Sequence, residues 1–225
     1  MPISTCVFDA YGTLFDVNAA ARLVAQDPAQ ATFAAIWPQL AKDWRAKQLE
    51  YSWLRAIADQ HCDFWQVTQD GLDWAMDASG VSDAVLRDRL LALYWELPAY
   101  NEVPEMLKTL KSKGLSCAIL SNGSPEMLQG AVASAGLGPL LDDVLSVEDV
   151  RVFKPHNKVY TMVTDRFDCA ASDVLFVSSN GWDAAGAAHF GFKTVWVNRA
   201  DAPVDRLFAT PDHILSDLTK IPEFA

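Results

Sequence analysis

The chain has 225 residues, 51% of them hydrophobic and 21% charged, enough to bury a full core as one domain with an insertion or as two small ones. Its formal net charge of −11 counts against nucleic acid or an anionic membrane as partner, and an anionic substrate would need local cations or helix N-termini to offset the overall field. The absence of a basic leader, the break of the first apolar run at Asp9, and the lack of any apolar run near about 18 residues point to a cytoplasmic protein with no membrane span.

Four cysteines, Cys6, Cys62, Cys117 and Cys169, show no CxxC pair and no metal-ligand spacing. They read as free thiols of a reducing compartment, with neither a disulfide nor a metal role.

In chain order, the first element is a short apolar strand that starts at Ile3 and ends on Asp9, followed by Tyr11, Gly12 and Thr13. An α/β sheet presents a nucleophile at such a strand end. From about 16 to 97 the texture is helical only. Trp37, Leu40, Trp44, Tyr51, Leu54 and Ala58 recur at three- and four-residue steps, and Leu86, Leu90, Leu93 and Tyr94 form a second stripe. Six of the eight tryptophans (Trp37, Trp44, Trp53, Trp65, Trp74 and Trp95) fall in this block. Helix–helix packing accounts for most of them. A helical block inserted just after the nucleophile strand would also lie over the strand ends, where some of its side chains roof the pocket.

From about 98 onward strands and helices alternate. A helix begins near Val103, with Met106, Leu107 and Leu110 on one face and Gly114 closing it. A buried strand follows over 115–120. The next helix opens with Ser124 as N-cap, Pro125 and Glu126, carries Leu128, Ala131, Val132 and Ala135, and ends at Gly136. A weaker strand at 144–147 precedes a helix with Val159, Met162, Val163 and Phe167, and strands at 174–177 and 194–197 complete the series. The expected fold is α/β: a doubly wound, mostly parallel sheet built from 1–15 and 98–225, with an all-helical cap over 16–97.

Polar motifs sit after these strands: Asp9; Ser121, Asn122 and Gly123; Lys154 and Pro155 ahead of a helix; and the run from Ser178 through Asn180 and Trp182 to Asp183. In an open parallel sheet all strand C-termini share one edge, so the four groups converge on one crevice. Each alone is an ordinary turn or loop; together, in this order, they read as an enzyme.

The order Asp9-x-Tyr11-Gly12-Thr13, Leu120-Ser121-Asn122-Gly123-Ser124, Lys154-Pro155-x-Asn157 and Phe176-Val177-Ser178-Ser179-Asn180-x-Trp182-Asp183 resembles the haloacid dehalogenase superfamily, and within it the L-2-haloacid dehalogenases. The segment Trp44 to Leu54, followed by Asp63 and Phe64, is similar to that family's cap. Superfamily phosphatases read Asp-x-Asp-Gly-Thr; here Tyr11 replaces the second carboxylate, which protonates a phosphatase's leaving group. The residue after Arg45 departs from the family, which has Gln where this chain has Ala46, a change expected to affect pocket lining.

The resemblance implies the following roles. Asp9 is the nucleophile that displaces halide, and Lys154 is the cation beside it. Thr13 and Ser121 donate hydroxyls to Asp9 or to the substrate carboxylate. Ser178 and Asn180 belong to the catalytic set, and Asp183 is a general base or the partner that holds Lys154 and a hydrolytic water. Arg45, Asn122 and Phe64 receive the halide, while Tyr11, Leu49, Tyr160 and Trp182 complete the substrate-binding side chains. No metal and no cofactor are implied, since one carboxylate besides Asp9 makes a poor site for a hard divalent cation. The partners implied are a small 2-haloalkanoate and, for the protein, a second copy in a homodimer. Three other readings stay open: a Mg²⁺-dependent phosphatase or phosphonate hydrolase on the same fold, a non-catalytic binding module, and a dehalogenase-like hydrolase with another leaving group.

Overall fold

Short apolar runs become the middle of one sheet. The computed structural model of the protein describes residues 2–19, 22 and 31–225. Strand β1 (Thr5–Phe8) is buried along its whole length and lies between β2 (Ser116–Ser121) and β4 (Val174–Ser178). β3 (Asp143–Ser146) flanks β2, and β5 (Lys193–Val197) and β6 (His213–Leu215) extend the other side, giving the order β3-β2-β1-β4-β5-β6 with every pair parallel. The chain winds outward one way from β1 and then returns to wind outward the other way. The reversal at β1 opens a crevice at the strand C-termini. Phe8 is in register with Ile119 and Val177, so Asp9, the 121–123 turn and the 178–180 turn stand at one level.

The helices follow from the same alternation. α4 (Val103–Ser112), α5 (Pro125–Ser134), α6 (Asn157–Phe167) and α7 (Gly181–Phe190) connect the strands. Their apolar faces close over Val7, Phe8, Ile119, Leu120, Phe176 and Val177, all without solvent exposure, and each such side chain contributes about 1.5–3 kcal/mol. Ser124 stands at the N-cap of α5, but its side chain makes no capping hydrogen bond. β6 was not expected, and neither was α7, whose run of small residues carries no amphipathic stripe.

Between β1 and β2 lie α1 (Ala31–Ile57), α2 (Phe64–Ala78) and α3 (Ala84–Leu93). Among the described residues of 16–97 there is no strand, so the sheet carries an inserted all-helical cap. The buried ridge of α1 differs from the apolar stripe read in the sequence. It runs Leu40, Trp44, Gln48, Ser52, while Leu54 is 55% exposed. The polar members are tolerated because they are bonded: Gln48 Nε2 donates to Thr68 Oγ1 (3.0 Å) and Tyr94 Oη (3.2 Å), and Ser52 Oγ donates to Leu49 O (2.8 Å). Trp44 Nε1 adds a bond to Thr68 O at 2.8 Å.

The two passages between cap and sheet run side by side. Asp16 N donates to Pro98 O (2.9 Å), Tyr100 N donates to Leu14 O (3.0 Å), and Phe15 bridges Ala99 antiparallel. The four cysteines are free. Cys6 and Cys117 face one another across β1 and β2, and burial pushes both thiols up, Cys117 to about 12. Among the described residues no helix is long and apolar enough to cross a membrane.

Candidate active site

β1 delivers Asp9 to the crevice and the backbone ladder holds it there, with Asp9 N donating to Val177 O at 2.9 Å. Gly12 then takes φ +84°, a region costly for other residues, and folds the chain back so that Thr13 lies under Asp9. Thr13 Oγ1 donates to Asp9 Oδ2 at 3.1 Å and accepts from Ser179 N at 2.8 Å. Asn180 Nδ2 donates to the same carboxylate oxygen at 2.9 Å. Arg45, from α1, donates Nη2 to Asn180 Oδ1 at 3.2 Å. That bond occupies the amide oxygen and leaves the amide nitrogen facing Asp9.

Lys154 takes the other oxygen. Its Nζ lies 3.2 Å from Asp9 Oδ1 and 2.9 Å from Asp183 Oδ2, with side-chain exposures of 1% for Lys154, 9% for Asp9 and 0% for Asp183. Burial works against the ammonium, but Asp183 and then Asp9 outweigh it and hold Lys154 above the ordinary lysine range. Burial raises Asp183 above the ordinary carboxylate range, with Lys154 opposing and Asp9 reinforcing the rise. Tyr160 Oη donates to Asp183 Oδ1 at 2.8 Å, and burial followed by Asp183 holds that phenol well above its ordinary range, so it is a neutral donor. The approach depends on Gly186, where a Cβ would stand 2.5 Å from Tyr160 Oη and 2.8 Å from Pro155 Cβ.

A cavity of about 10 Å³ sits over these groups, lined by Asp9, Tyr11, Arg45, Leu49, Phe64, Ser121, Asn122, Lys154, Asn180 and Trp182. That is room for about one water, so the pocket is closed. Tyr11 stacks on Phe64 (6.5 Å between centroids) and lies tilted against Tyr94 (5.5 Å), and Trp182 meets Trp53 edge-on at 5.4 Å. Tyr11 Oη and Trp182 Nε1 are buried with no hydrogen-bond partner in the protein. Arg45 also lines an outer groove of about 450 Å³ with Trp37, Lys42, Trp44 and Tyr94.

Not every residue singled out in the sequence reaches the cavity. Tyr160 does not line it; its hydroxyl is spent on Asp183, behind Lys154. Ser178 is fully buried and accepts from Asn180 N (3.1 Å), shaping the loop without touching Asp9. Ser121 lines the cavity, but its hydroxyl accepts from Gly123 N at 3.1 Å and makes no bond to Asp9. Asn122 Oδ1 accepts from Lys154 N at 2.9 Å, tying two motifs together. Ala46 is exposed on α1 and lies outside the cavity wall, so its departure from the family pattern does not alter the lining. Ser179, Tyr94 and Trp53 are neighbours the sequence reading left unassigned; Ser179 lies inside a motif already noted, whereas Tyr94 and Trp53 look like ordinary core.

The donor set does not fit a divalent cation. Tyr11 stands two residues after Asp9, residues 178–180 are Ser, Ser and Asn, and an ammonium already bridges the two carboxylates. The arrangement is a carboxylate oriented by one cation and two neutral donors, facing a small, mainly apolar enclosure into which a guanidinium reaches from above. It suits in-line displacement at carbon by Asp9.

Comparison with known proteins points to the same class of enzyme. The family model of haloacid dehalogenase-like hydrolases matches residues 3–191. The chain is 44% identical over 223 residues to (S)-2-haloacid dehalogenase 1 of Pseudomonas sp. (strain CBS-3), covering 99% of this chain and 96% of that protein. It is 42% identical to (S)-2-haloacid dehalogenase 4A of Burkholderia cepacia, covering 97% and 93%. Its fold superposes with a TM-score of 0.86, at 36% identity and 98% and 97% coverage, on L-2-haloacid dehalogenase from Xanthobacter autotrophicus with chloropropionic acid covalently bound. The chain therefore belongs to the haloacid dehalogenase-like hydrolases, and within them to the (S)-2-haloacid dehalogenases.

Proposed function

We propose that the protein hydrolyses the carbon–halogen bond of short L-2-haloalkanoic acids to D-2-hydroxy acids through an ester on Asp9. The observation that carries this reading is the Asp9–Lys154–Asp183 bridge beneath a closed, mainly apolar pocket. An Asp9 oxygen attacks C2 opposite the halogen, forming a carbon–oxygen bond as halide departs with the bonding electrons. Water then attacks the Asp9 carboxyl carbon, and the ester opens to regenerate Asp9 and release the hydroxy acid. The carbon is inverted once, in the first step. A relative with chloropropionic acid covalently bound supports an intermediate of this kind.

Thr13 and Asn180 orient Asp9, and Lys154 supplies the cation beside it. Arg45, Asn122 and Phe64 receive the halide. The substrate carboxylate lies toward Ser121 and the N-terminus of α5, where the helix end favours an anion. Tyr160 fixes Asp183, which pairs with Lys154 and takes the proton of the hydrolytic water. In this reading 1–15 and 98–225 form the catalytic domain and 16–97 the cap domain. The chain works as a cytoplasmic homodimer without metal or cofactor. Four free thiols support a reducing compartment, and exposed Leu54, Ile57 and Trp74 on the cap helices support a self-contact.

The test is chloride release from each enantiomer of 2-chloropropionate with chiral analysis of the lactate. L-2-chloropropionate alone should be consumed, giving D-lactate. Retention of configuration or equal use of both enantiomers would contradict the conversion of L-haloacid to D-hydroxy acid, and phosphate release from esters in its place would favour the phosphatase reading.

A further inference from the structure

Arg199, two residues beyond the end of β5, has no part in the chemistry described so far. Its Nη2 donates to Thr13 O at 3.1 Å and lies 2.8 Å from Glu102 Oε1, and its Cζ stands 3.6 Å from the centroid of the Tyr100 ring. The side chains of Arg199 and Glu102 are only 20% and 21% exposed. Glu102 stands at the N-cap position of α4 yet makes no side-chain capping bond there; its carboxylate turns to Arg199 instead.

These three contacts join two parts of the molecule. Thr13 is the residue whose hydroxyl holds Asp9 Oδ2, and it leads directly into the outgoing passage to the cap. Tyr100 and Glu102 belong to the returning passage, and Tyr100 N is bonded to Leu14 O. One guanidinium thus grips the nucleophile loop by its backbone and the return passage by a ring face and a carboxylate. A cavity of about 10 Å³ must open to admit a haloacid, and these two passages are the described backbone that ties the cap to the sheet.

We propose that Arg199 is a positioning residue for the dehalogenation: it locks the paired cap passages to the Asp9–Thr13 loop, so that the nucleophile returns to the same place each time the cap closes. The proposal rests on the function proposed above. It needs a planar cation that lies flat on the Tyr100 ring while its Nη2 reaches Thr13 O and Glu102, which an ammonium does not supply.

The test compares wild type with Arg199→Gln, Arg199→Lys and the milder Glu102→Gln, all checked for folding by circular dichroism. With L-2-chloropropionate, kcat should fall about tenfold to a hundredfold in Arg199→Gln, the scale of a small nucleophile misplacement, while KM moves less than about twofold. Arg199→Lys should recover little of the loss. Hydrogen exchange supplies a readout independent of substrate. Amide exchange at Asp16 and Tyr100 should accelerate in the Arg199 variants, while the amides of β1 and β2 stay protected. A folded Arg199→Gln with wild-type kcat, full recovery in Arg199→Lys, or unchanged exchange at both amides would overturn the proposal. Wild type that releases no chloride would sink the functional reading, and the exchange data alone would then decide whether Arg199 locks the passages.

Discussion

Replacing Lys154 with Met removes the ammonium that Asp9 and Asp183 share while keeping most of the volume. At 3.2 Å from Asp9 and 2.9 Å from Asp183, each pair is worth about 5–6 kcal/mol at an effective dielectric near 20, before desolvation. Most of that gross attraction offsets the cost of burying the charges. The loss still leaves two buried carboxylates side by side with no cation, and one of them must take up a proton. Breaking such a site costs about 3–5 kcal/mol, or roughly 6–20 °C in Tm for a chain of this size. Chloride release at neutral pH should fall by about a hundredfold or more, since a proton shared between the carboxylates leaves Asp9 a poor nucleophile. The sign with pH also follows. Lys154 is held above the ordinary lysine range, so its contribution is complete below that range and is lost only as pH rises through the raised value. Wild-type turnover should therefore show no decline from this group below about pH 10, whereas the variant's residual rate should climb with pH as the shared proton leaves. Rates for both proteins between pH 6 and 10, with circular dichroism alongside, make the comparison. A folded Lys154→Met with near-normal turnover at pH 7 would refute the reasoning.

Exhaustive dialysis against EDTA should leave dehalogenation of 2-chloropropionate intact; loss that Mg²⁺ restores would mean that the donor set has been misjudged. Arg45→Lys should lower kcat/KM by about tenfold or more, because an ammonium cannot both hold the Asn180 amide and present a fork to the halide; near-normal turnover would remove Arg45 from the site. Asp183→Asn should release up to one equivalent of chloride per site and then stall with Asp9 esterified, visible as an adduct by intact-mass spectrometry. Steady turnover in that variant would take the hydrolytic step away from Asp183.

Much of this was legible from residue order because β1, β2 and β4 are short, almost wholly buried apolar runs, each ending on a polar motif, and the apolar run of β5 completes the series. β6 left no such mark: His213 and Ile214 are exposed and the strand is three residues long, an edge with little core to pattern it. α7 was hidden because Ala184, Ala185, Gly186 and Ala187 are all buried, so no face contrasts with another. The ridge of α1 was misread by one flank because Gln48 and Ser52 look solvent-facing until their hydrogen bonds are seen. In the site, Asp9, Lys154 and Asn180 announce themselves by type and position. Tyr160 was assigned to the substrate because spacing on α6 says nothing of where a long side chain ends. The 2.8 Å bond from its hydroxyl to Asp183, with room left by Gly186, is seen only in the fold.

The central claim is that Asp9 becomes esterified and that water opens the ester at its carboxyl carbon. A single turnover of L-2-chloropropionate with enzyme in excess, in ¹⁸O-labelled water, tests it most directly. Peptide mass analysis should then find one ¹⁸O in the Asp9 side chain and unlabelled oxygen on C2 of the lactate. Label found only in the lactate would mean that water attacks the substrate directly, with Asp9 as a base, and would contradict the account.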